Sequence, residues 1–194
     1  MKNIFLIGGG GHCHSCIDVI EQEQVYLIKG IFDVKENIGK TVMGYPIVGC
    51  DEDLKNFISP DHFFLITLGQ IKSADLRVKI ANELKVLNAM LATVVSPRAY
   101  VSKHASIGEG TIILHSALVN SNVKIGTHCI INSQALVEHD SIISNFCHVS
   151  TAAIVNGNCK IERESFVGSN CVLREGSIVT EKSVLRAGSF FNGK

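Results

Sequence analysis

The chain has 194 residues, of which 46% are hydrophobic and 19% are charged, and its 18 basic and 18 acidic side chains cancel. At roughly 150 residues per domain, this length allows one or two domains with hydrophobic cores. The balanced charge, with no cluster of Lys or Arg, gives no electrostatic footprint for nucleic acid or for an anionic membrane surface. The apolar run before the first glycines is too short for a signal peptide, and no stretch has the length of a membrane span, so we expect a cytoplasmic protein.

Residues 1–96 alternate short apolar runs with helical patterns. The predicted strands are KNIFLIG, VYLIKGIFD, HFFLITLG and MLATVV, and the predicted helices are HSCIDVIEQ, DEDLKNF and ADLRVKIANELKVL. We expect Ser73 to cap the last of these helices. The apolar residues of that helix fall on one face: Leu76, Ile80, Leu84 and Leu87. Strands that alternate with helices in this way predict a small parallel α/β sheet of Rossmann type.

A glycine run followed by His12 lies where the first strand meets the first helix. Glycines let a ligand approach the backbone, and the free N–H groups of a helix N-terminus favour a phosphate. Cys13 stands where the GxGxxG pattern has its third glycine, so the dinucleotide fingerprint is not met. Asp33 ends the second strand, where an acidic residue commonly accepts a ribose hydroxyl. Together these features favour a nucleotide or nucleotide-sugar site over an ordinary tight turn, with substrate bound by Gly8, Gly10, Gly11, His12 and Asp33.

Residues 97–194 carry a repeat of six residues. A branched aliphatic residue recurs at every sixth position: Val101, Ile107, Ile113, Val119, Ile125, Ile131, Val137, Ile143, Val149, Val155, Ile161, Val167, Leu173, Val179 and Leu185. Two positions before each of these lies a small residue, with Val123 as the exception. A period of six predicts a triangular solenoid in which each hexad supplies one short strand and one corner. Fifteen hexads would make about five coils.

The two columns of the repeat predict what fills the solenoid. The aliphatic residues would fill its interior, and the small residues would occupy the narrow space beside each corner. Gly108, Gly126 and Gly168 follow aliphatic residues, and we expect them to supply unusual φ values at corners. Four of the seven cysteines lie in the small column: Cys129, Cys147, Cys159 and Cys171. We interpret these as reduced, packed hydrophobes and not as redox or metal-binding groups.

His139 is the candidate general base of the coils, because it stands between Glu138 and Asp140. A carboxylate at a bend can turn back to Nδ1 of the imidazole, which holds one tautomer and raises the basicity of Nε2. His148 follows nine residues later, which is half of an 18-residue coil. The two side chains would then leave opposite sides of one prism, about 15 Å apart. If both serve one site, that site lies between subunits, and we expect a closed homotrimer.

Several segments together resemble one family, the bacterial hexapeptide-repeat sugar acetyltransferases. They are the GGGGH turn, IFD, LGQ followed by Arg77, SPRAYVS, and INSQALVEHDSIISNFCHVS, which is the most specific. This family includes UDP-4-amino-sugar N-acetyltransferases and the sialic acid O-acetyltransferase group. The resemblance implies a Rossmann-like domain followed by a left-handed parallel β-helix, with acetyl-CoA as cosubstrate and no metal. It also implies a nucleotide-sugar acceptor, for which N-acetylation of a UDP-linked 4-amino-6-deoxy sugar is our first choice and O-acetylation of a sialic-acid-like sugar the alternative.

The resemblance assigns roles to individual residues. His139 matches the catalytic base, Asp140 its adjacent carboxylate, and His148 the histidine that contacts the thioester carbonyl or the cofactor. His12 matches the histidine of the glycine turn near the nucleotide-sugar, and Gly69 with Gln70 matches a strand-end pair that lines the same site. We assign Gly168 to the cofactor site together with His148. A developing oxyanion would need a donor, either a backbone N–H of a coil or His148.

Two other classes of function compete with the acetyltransferase. A γ-class carbonic anhydrase shares the β-helix, but its paired histidines lie five positions apart, and no two histidines of the coils have that separation. A non-catalytic protein that binds nucleotide-sugars, or a scaffold, is the third interpretation. It would leave the His139-Asp140 pair without a role in its sequence context.

Overall fold

The computed structural model describes residues 1–193 and contains an α/β domain packed against a three-sided parallel β-helix. The elements of the α/β domain are β1 (Lys2–Ile7), α1 (Gly11–Glu23), β2 (Tyr26–Phe32), β3 (Thr41–Val42), β4 (Tyr45–Gly49), β5 (His62–Ile66), α2 (Asp75–Val86) and β6 (Met90–Leu91). Two 3-10 helices, Lys35–Asn37 and Asp51–Phe57, lie in the connections. Among the described residues, no helix is both long enough and apolar enough to cross a bilayer.

The sheet of this domain has the order β3-β4-β2-β1-β5-β6. All neighbouring strands are parallel except β3 and β4, which form a short antiparallel hairpin that the sequence patterns did not predict. The chain runs from β1 outward to β2 and later returns to the other side of β1 with β5. The topological switch point of this sheet therefore lies between β1 and β5, where ligands bind in open α/β sheets.

Helix α2 presents a different face to the core from the one predicted. The expected cap by Ser73 was wrong, because the N-cap residue is Ala74 and it provides no side-chain cap. The hydroxyl of Ser73, one position earlier, accepts the N–H of Asp75 at 3.0 Å. The buried residues are Arg77, Ile80, Ala81 and Leu84, which follow the helical period, whereas Leu76 is 53% exposed. The expectation for Leu76 was wrong because the guanidinium of Arg77 occupies the inner face, where backbone carbonyls accept its hydrogen bonds.

The segment MLATVV, predicted as one strand, is divided between the two domains. Met90–Leu91 pairs with β5 in the α/β sheet, whereas Val94–Val95 (β7) pairs with Ile112–Ile113 of the coils. Ala92 between them is fully buried. The coils therefore begin at Val94, and the backbone passes directly from one sheet into the other.

The coils contain seventeen two-residue strands. The repeat predicted fifteen hexads, and the structure adds one at each end. They are β7 (Val94–Val95), β8 (Tyr100–Val101), β9 (Ser106–Ile107), β10 (Ile112–Ile113), β11 (Leu118–Val119), β12 (Lys124–Ile125), β13 (Ile130–Ile131), β14 (Leu136–Val137), β15 (Ile142–Ile143), β16 (His148–Val149), β17 (Ile154–Val155), β18 (Lys160–Ile161), β19 (Phe166–Val167), β20 (Val172–Leu173), β21 (Ile178–Val179), β22 (Val184–Leu185) and β23 (Phe190–Phe191). Every third strand joins the same sheet, which gives sheets of six, six and five strands. We name them the first sheet (β7 to β22), the second sheet (β8 to β23) and the third sheet (β9 to β21).

The interior of the coils is the one that the repeat predicted. The aliphatic column and the small column form one buried cluster, and the four cysteines of the small column are fully buried within it. All seven cysteines are free thiols among the described residues. Burial raises the pKa of Cys129 to about 11, as expected for an unreactive, packed thiol.

The corners are formed by residues that the analysis of glycines did not single out. Gly108, Gly126 and Gly168 do not have positive φ, so that expectation was wrong. They are needed because the backbone of the next coil approaches closely: a Cβ at Gly168 would lie 2.5 Å from the amide nitrogen of Ala187. From Ile107 onward, a left-handed residue stands three positions after each residue of the aliphatic column. It is glycine at three corners, and at the others it is Ser116, Asn122, His128, Gln134, Asp140, Phe146, Ala152, Asn158, Glu164, Asn170 and Lys182.

Candidate active site

His139 and Asp140 form a hydrogen-bonded pair at one corner of the coils. Asp140 is a left-handed corner residue with φ 62°, and this backbone turn brings its Oδ2 to 2.9 Å from Nδ1 of His139. Each of the two side chains is about half exposed. The hydrogen bond to Asp140 raises the pKa of His139. Because the carboxylate accepts the Nδ1–H, the lone pair of Nε2 is directed away from Asp140 and is available to take a proton.

The neighbouring coils support this pair from both sides. In the preceding coil, Asn122 Nδ2 donates to Asp140 Oδ1 at 2.6 Å, and Asn120 Nδ2 donates to Glu138 Oε2 at 2.6 Å. In the following coil, Gly157 lies against the imidazole of His139. These three residues were missed by sequence reasoning, although each stands 18 positions from a residue of the Glu138-His139-Asp140 run and the coil period could have identified them.

A cleft of about 560 Å³ opens between the two domains. It lies at the carboxyl ends of β1 and β5, the switch point of the α/β sheet, and the first sheet of the coils closes its other side. Its lining residues are Gly10, Gly11, His12, Ser15, Thr67, Leu68, Gly69, Gln70, Ile71, Asn132, His148 and Thr151. The cleft thus brings together six of the predicted site residues and contains no acidic side chain.

The N-terminus of α1 faces this cleft. Gly10 is the N-cap residue and provides no side-chain cap, and the first turn holds no acidic residue. A Cβ added at Gly10 or at Gly11 would meet nothing within 4 Å, so both positions border open space. Unsatisfied N–H groups and the positive end of the helix dipole make such a terminus a binding site for an anionic group such as a phosphate.

His148 connects the coils to the strand-end pair of the α/β domain. Its Nδ1 lies 2.6 Å from the carbonyl oxygen of Gln70, and its Nε2 lies 3.1 Å from Nδ2 of Asn132. A carbonyl only accepts, so Nδ1 carries the proton and Nε2 is an acceptor. Burial lowers the pKa of His148 to about 4. In this neutral form His148 does not donate from Nε2, which favours a backbone N–H of the coils as the oxyanion donor.

His12 and Gln70, which line the cleft, each carry a buried polar atom without a partner among the described residues. Nε2 of His12 and Oε1 of Gln70 are buried without a hydrogen-bond partner in residues 1–193. Burial, followed by the proximity of His148 and Arg77, lowers the pKa of His12 to about 3. Leaving a buried polar atom unpaired costs free energy unless a ligand pairs with it. These two residues therefore carry an unsatisfied polar group just behind the wall of the cleft.

The remaining predicted residues support the cleft or lie away from it. Gly8 has φ 103°, and a Cβ there would clash with Leu68, so its role in the turn is conformational. Asp33 Oδ2 accepts the N–H of Gly9 at 2.7 Å, which fixes the glycine turn, and Asp33 borders a separate cavity of about 230 Å³. Gly168 lies buried between two coils.

One chain does not bring His139 and the cleft together. His139 lies at the corner between β14 of the second sheet and β15 of the third sheet, whereas His148 lies on β16 of the first sheet. In a triangular prism, the corner between two sides is opposite the third side.

Among residues 1–193, no group of three or more His, Cys, Asp or Glu side chains is placed to hold a metal ion.

Comparison with known families matches each domain separately. Residues 3–84 match the PglD N-terminal domain, and residues 104–139 match the bacterial transferase hexapeptide (six repeats). The fold class of the chain is the predicted one, a Rossmann-like α/β domain followed by a left-handed parallel β-helix.

A curated relative and several solved structures are similar to the chain. The UDP-N-acetylbacillosamine N-acetyltransferase of Bacillus subtilis (strain 168) is 33% identical over 117 residues, which cover 59% of this chain and 52% of the relative. The chain thus aligns with about half the length of this relative.

The acetyltransferase domain of PglB from Neisseria gonorrhoeae FA1090 is 26% identical, with a TM-score of 0.93 over 100% of this chain and 93% of that domain. Its complex with acetyl coenzyme A has a TM-score of 0.89 at 26% identity and covers 99% and 94% of the two chains. A perosamine N-acetyltransferase of Caulobacter crescentus, in complex with CoA and GDP-perosamine, has a TM-score of 0.69 over 98% and 93%. Its 23% identity supports the fold alone.

Proposed function

We propose that the chain is an acetyl-CoA-dependent N-acetyltransferase that acts on the amino group of a nucleotide-linked 4-amino-6-deoxy sugar, with UDP as the nucleotide. The observation that carries this proposal is the hydrogen bond from His139 to Asp140, which leaves Nε2 of an exposed imidazole free to act as a base. The curated relative and the PglB domain, whose names describe an N-acetyltransferase and an acetyltransferase, support the same reaction class.

The chemistry needs one general base and no covalent intermediate. The acceptor amine attacks the thioester carbon, a C–N bond forms, and the C–S bond breaks to release CoA. Nε2 of His139 takes the proton that the amine loses, and the departing thiolate of CoA is protonated in turn. General-base assistance of this kind contributes about 10²–10⁴-fold to the rate.

We assign the nucleotide-sugar to the domain of residues 1–96 and acyl transfer to the coils of residues 97–194. The α1 N-terminus suits the diphosphate, and His12 and Gln70 line the cleft in which the acceptor would lie. Gly69 lines the same cleft, and Asp33 stands at the end of β2, where the nucleoside would lie. His148 and Gly168 are the proposed contacts to the cofactor.

A homotrimer is part of this proposal. His139 and the cleft lie on opposite sides of one prism, so a single subunit does not offer both to one substrate. Packing three prisms around a threefold axis lets the corner of one subunit face the cleft of its neighbour. Light scattering tests this arrangement, and a purely monomeric enzyme with full activity would contradict it. A cytoplasmic location is proposed with the nucleotide-sugar substrate.

The deciding experiment measures CoA release from acetyl-CoA by thiol detection. The acceptors are a UDP-4-amino-4,6-dideoxy sugar, free sialic acid and CMP-linked sialic acid. We expect turnover with the amino sugar, and its loss in His139→Ala with the fold and the oligomeric state retained. Turnover with a sialic acid alone would move the enzyme to O-acetylation. Substantial activity in His139→Ala would remove the assignment of the base.

A further inference from the structure

Both oxygen atoms of the Asp140 carboxylate are occupied by side chains. Oδ2 accepts Nδ1–H of His139 at 2.9 Å, and Oδ1 accepts Nδ2–H of Asn122 at 2.6 Å. Asn122 comes from the preceding coil, 18 residues before Asp140, and occupies the same type of left-handed corner with φ 59°. The carboxylate is therefore held at two points, one in its own coil and one in the coil before it.

We propose that Asn122 is a positioning residue of the acetyl transfer, which fixes the Asp140 carboxylate so that His139 is kept in the tautomer protonated at Nδ1. This inference rests on the proposed function, in which Nε2 of His139 accepts the proton of the acceptor amine. The side chain of Asn122 bonds to Asp140 and not to the imidazole, so we infer that it acts through Asp140.

The physical argument starts from the mobility of an exposed aspartate. His139 and Asp140 are each half exposed, and within the described part of their own coil the carboxylate has a single side-chain hydrogen bond, the one from His139. A carboxylate that rotates freely loses its alignment with Nδ1–H, and water then competes for the imidazole. The amide of Asn122 removes this freedom, because a carboxylate that accepts one donor on each oxygen has a single orientation that satisfies both.

The charges around Asp140 agree with this role. The hydrogen bond from Asn122 is the largest cause that lowers the pKa of Asp140, followed by the hydrogen bond from His139. Asn122 thus favours the ionised carboxylate, which is the form that accepts Nδ1–H. A neutral amide does this without adding a further negative charge to those of Asp140, Glu138 and Glu175, which already act on His139.

The choice of asparagine also suits the backbone. Asn adopts the left-handed region more readily than other residues that carry a Cβ, so it forms the corner and delivers a donor to the next coil.

Asn170 is the matched control: it is an exposed left-handed corner with φ 54°, and its side chain makes no hydrogen bond within the described part of the chain. It lies at the corner between the first and second sheets, away from His139.

The test compares Asn122→Ala, Asn122→Asp and Asn170→Ala. Steady-state kinetics give kcat and both KM values. Nitrogen-15 NMR of the imidazole, in the enzyme without substrates, gives the tautomer of neutral His139, with His139→Gln used to assign the signal. Asn122→Asp keeps the shape and the corner preference of the side chain but replaces the donor by an acceptor.

We expect Asn122→Ala and Asn122→Asp to lower kcat about tenfold, because the base is misaligned, with both KM values within about twofold of the wild type. We also expect the His139 signal to move from the Nδ1–H tautomer towards a mixture in both variants. Asn170→Ala should leave kcat and the tautomer unchanged. If Asn170→Ala lowers kcat as much as Asn122→Ala does, the effect comes from replacing any corner asparagine and not from the hydrogen bond to Asp140, and the proposal is overturned. Unchanged kcat and an unchanged tautomer in Asn122→Asp would also overturn it.

The NMR readout separates this inference from the proposed function. If no acceptor is acetylated but the tautomer shifts in both Asn122 variants, the proposed function fails and the positioning of His139 stands. If transfer occurs and depends on His139 but neither Asn122 variant changes kcat or the tautomer, the proposed function stands and the role of Asn122 is refuted.

Discussion

The backbone of Gly157 lies against the imidazole of His139, one coil further along the chain. A Cβ atom at position 157 would be 2.7 Å from Cε1 and 2.8 Å from Nε2 of His139, closer than such atoms approach. Gly157 does not have positive φ, so its backbone conformation is open to any residue. The glycine is needed for the position of the histidine and not for the turn itself.

Gly157→Ala should therefore displace the ring while the coil keeps its shape. We expect kcat to fall by up to about 100-fold, since a shift of about 1 Å in a catalytic group has that effect, with little change in melting temperature. The matched variant is Asn158→Ala at the next residue, an exposed corner that should keep its activity. Full activity in Gly157→Ala would show that His139 does not act from the observed position.

Removing the charge of Asp140 should change the pH dependence of the reaction. The general base works when His139 is neutral, so kcat/KM rises as pH increases through the pKa of His139. Asp140 raises this pKa. In Asp140→Asn the acidic limb of the profile should therefore move to lower pH, while the maximal rate falls because the tautomer is held less firmly. An acidic limb that stays in place would show that another group titrates.

Gly10→Ala tests the assignment of the cleft. A methyl group at position 10 meets no protein atom within 4 Å, and Gly10 has φ −75°, which alanine adopts without strain. We expect the free energy of unfolding to change by less than about 0.5 kcal/mol. The KM for the nucleotide-sugar should rise about tenfold because the methyl group occupies the approach of the phosphate, with the KM for acetyl-CoA unchanged. An unaltered KM for the nucleotide-sugar would place the diphosphate elsewhere.

Three histidines whose pKa values are lowered by desolvation should make the fold sensitive to acid. Burial lowers the pKa of His12 to about 3 and those of His128 and His148 to about 4, below the 6.5 expected in the unfolded chain. Below pH 6.5 the unfolded chain binds protons that the folded chain does not, so stability is lost as pH falls from 6.5 towards 4. The slope is at most about 1.4 kcal/mol per pH unit for each histidine.

His128→Phe isolates one of these contributions. The ring of His128 stacks on Phe146 at 4.9 Å between centroids, and a phenyl ring keeps this contact while removing the titration. Thermal unfolding at fixed protein concentration between pH 7 and pH 5 should show that stability falls less steeply with decreasing pH in the variant than in the wild type. Parallel curves would mean that His128 is not neutral in the folded protein.

The features that the sequence predicted are those that depend on a strict period. The hexad repeat identified the interior columns because each coil places every sixth side chain in one narrow core. The pairing of His139 with Asp140 was also predictable, since the two are adjacent and only a bend is required. Asn122 and Gly157 follow from the same period, once the coil length of 18 residues is applied to His139 and Asp140.

The features that were missed depend on contacts between the domains. The predicted apolar face of α2 did not include Arg77, yet its guanidinium is buried and donates to the carbonyl of Leu68 in its own domain and to that of His128 across the domain boundary. Nothing in the local pattern of α2 indicates those acceptors. The division of MLATVV between two sheets has the same origin, because the register of Val94 is set by the coils and not by the strand before it.

Several hydrogen bonds from the α/β domain to the coils are accepted by backbone oxygens along one corner. Arg77 donates to the carbonyl of His128, and Gln70 donates to those of Phe146 and Glu164, which are equivalent residues of three successive coils. Carbonyls of this kind recur in every coil. These hydrogen bonds alone could therefore also form if the α/β domain were shifted by one coil along the stack. Two histidine side chains break this degeneracy. His148 binds the carbonyl of Gln70, whereas Ile130 and Phe166 occupy its place in the adjacent coils. His115 lies with its Nε2 2.7 Å from Oδ2 of Asp18 on α1. These two histidines fix the coil against which the α/β domain is placed, and replacing either one removes a polar contact that distinguishes one coil from the next.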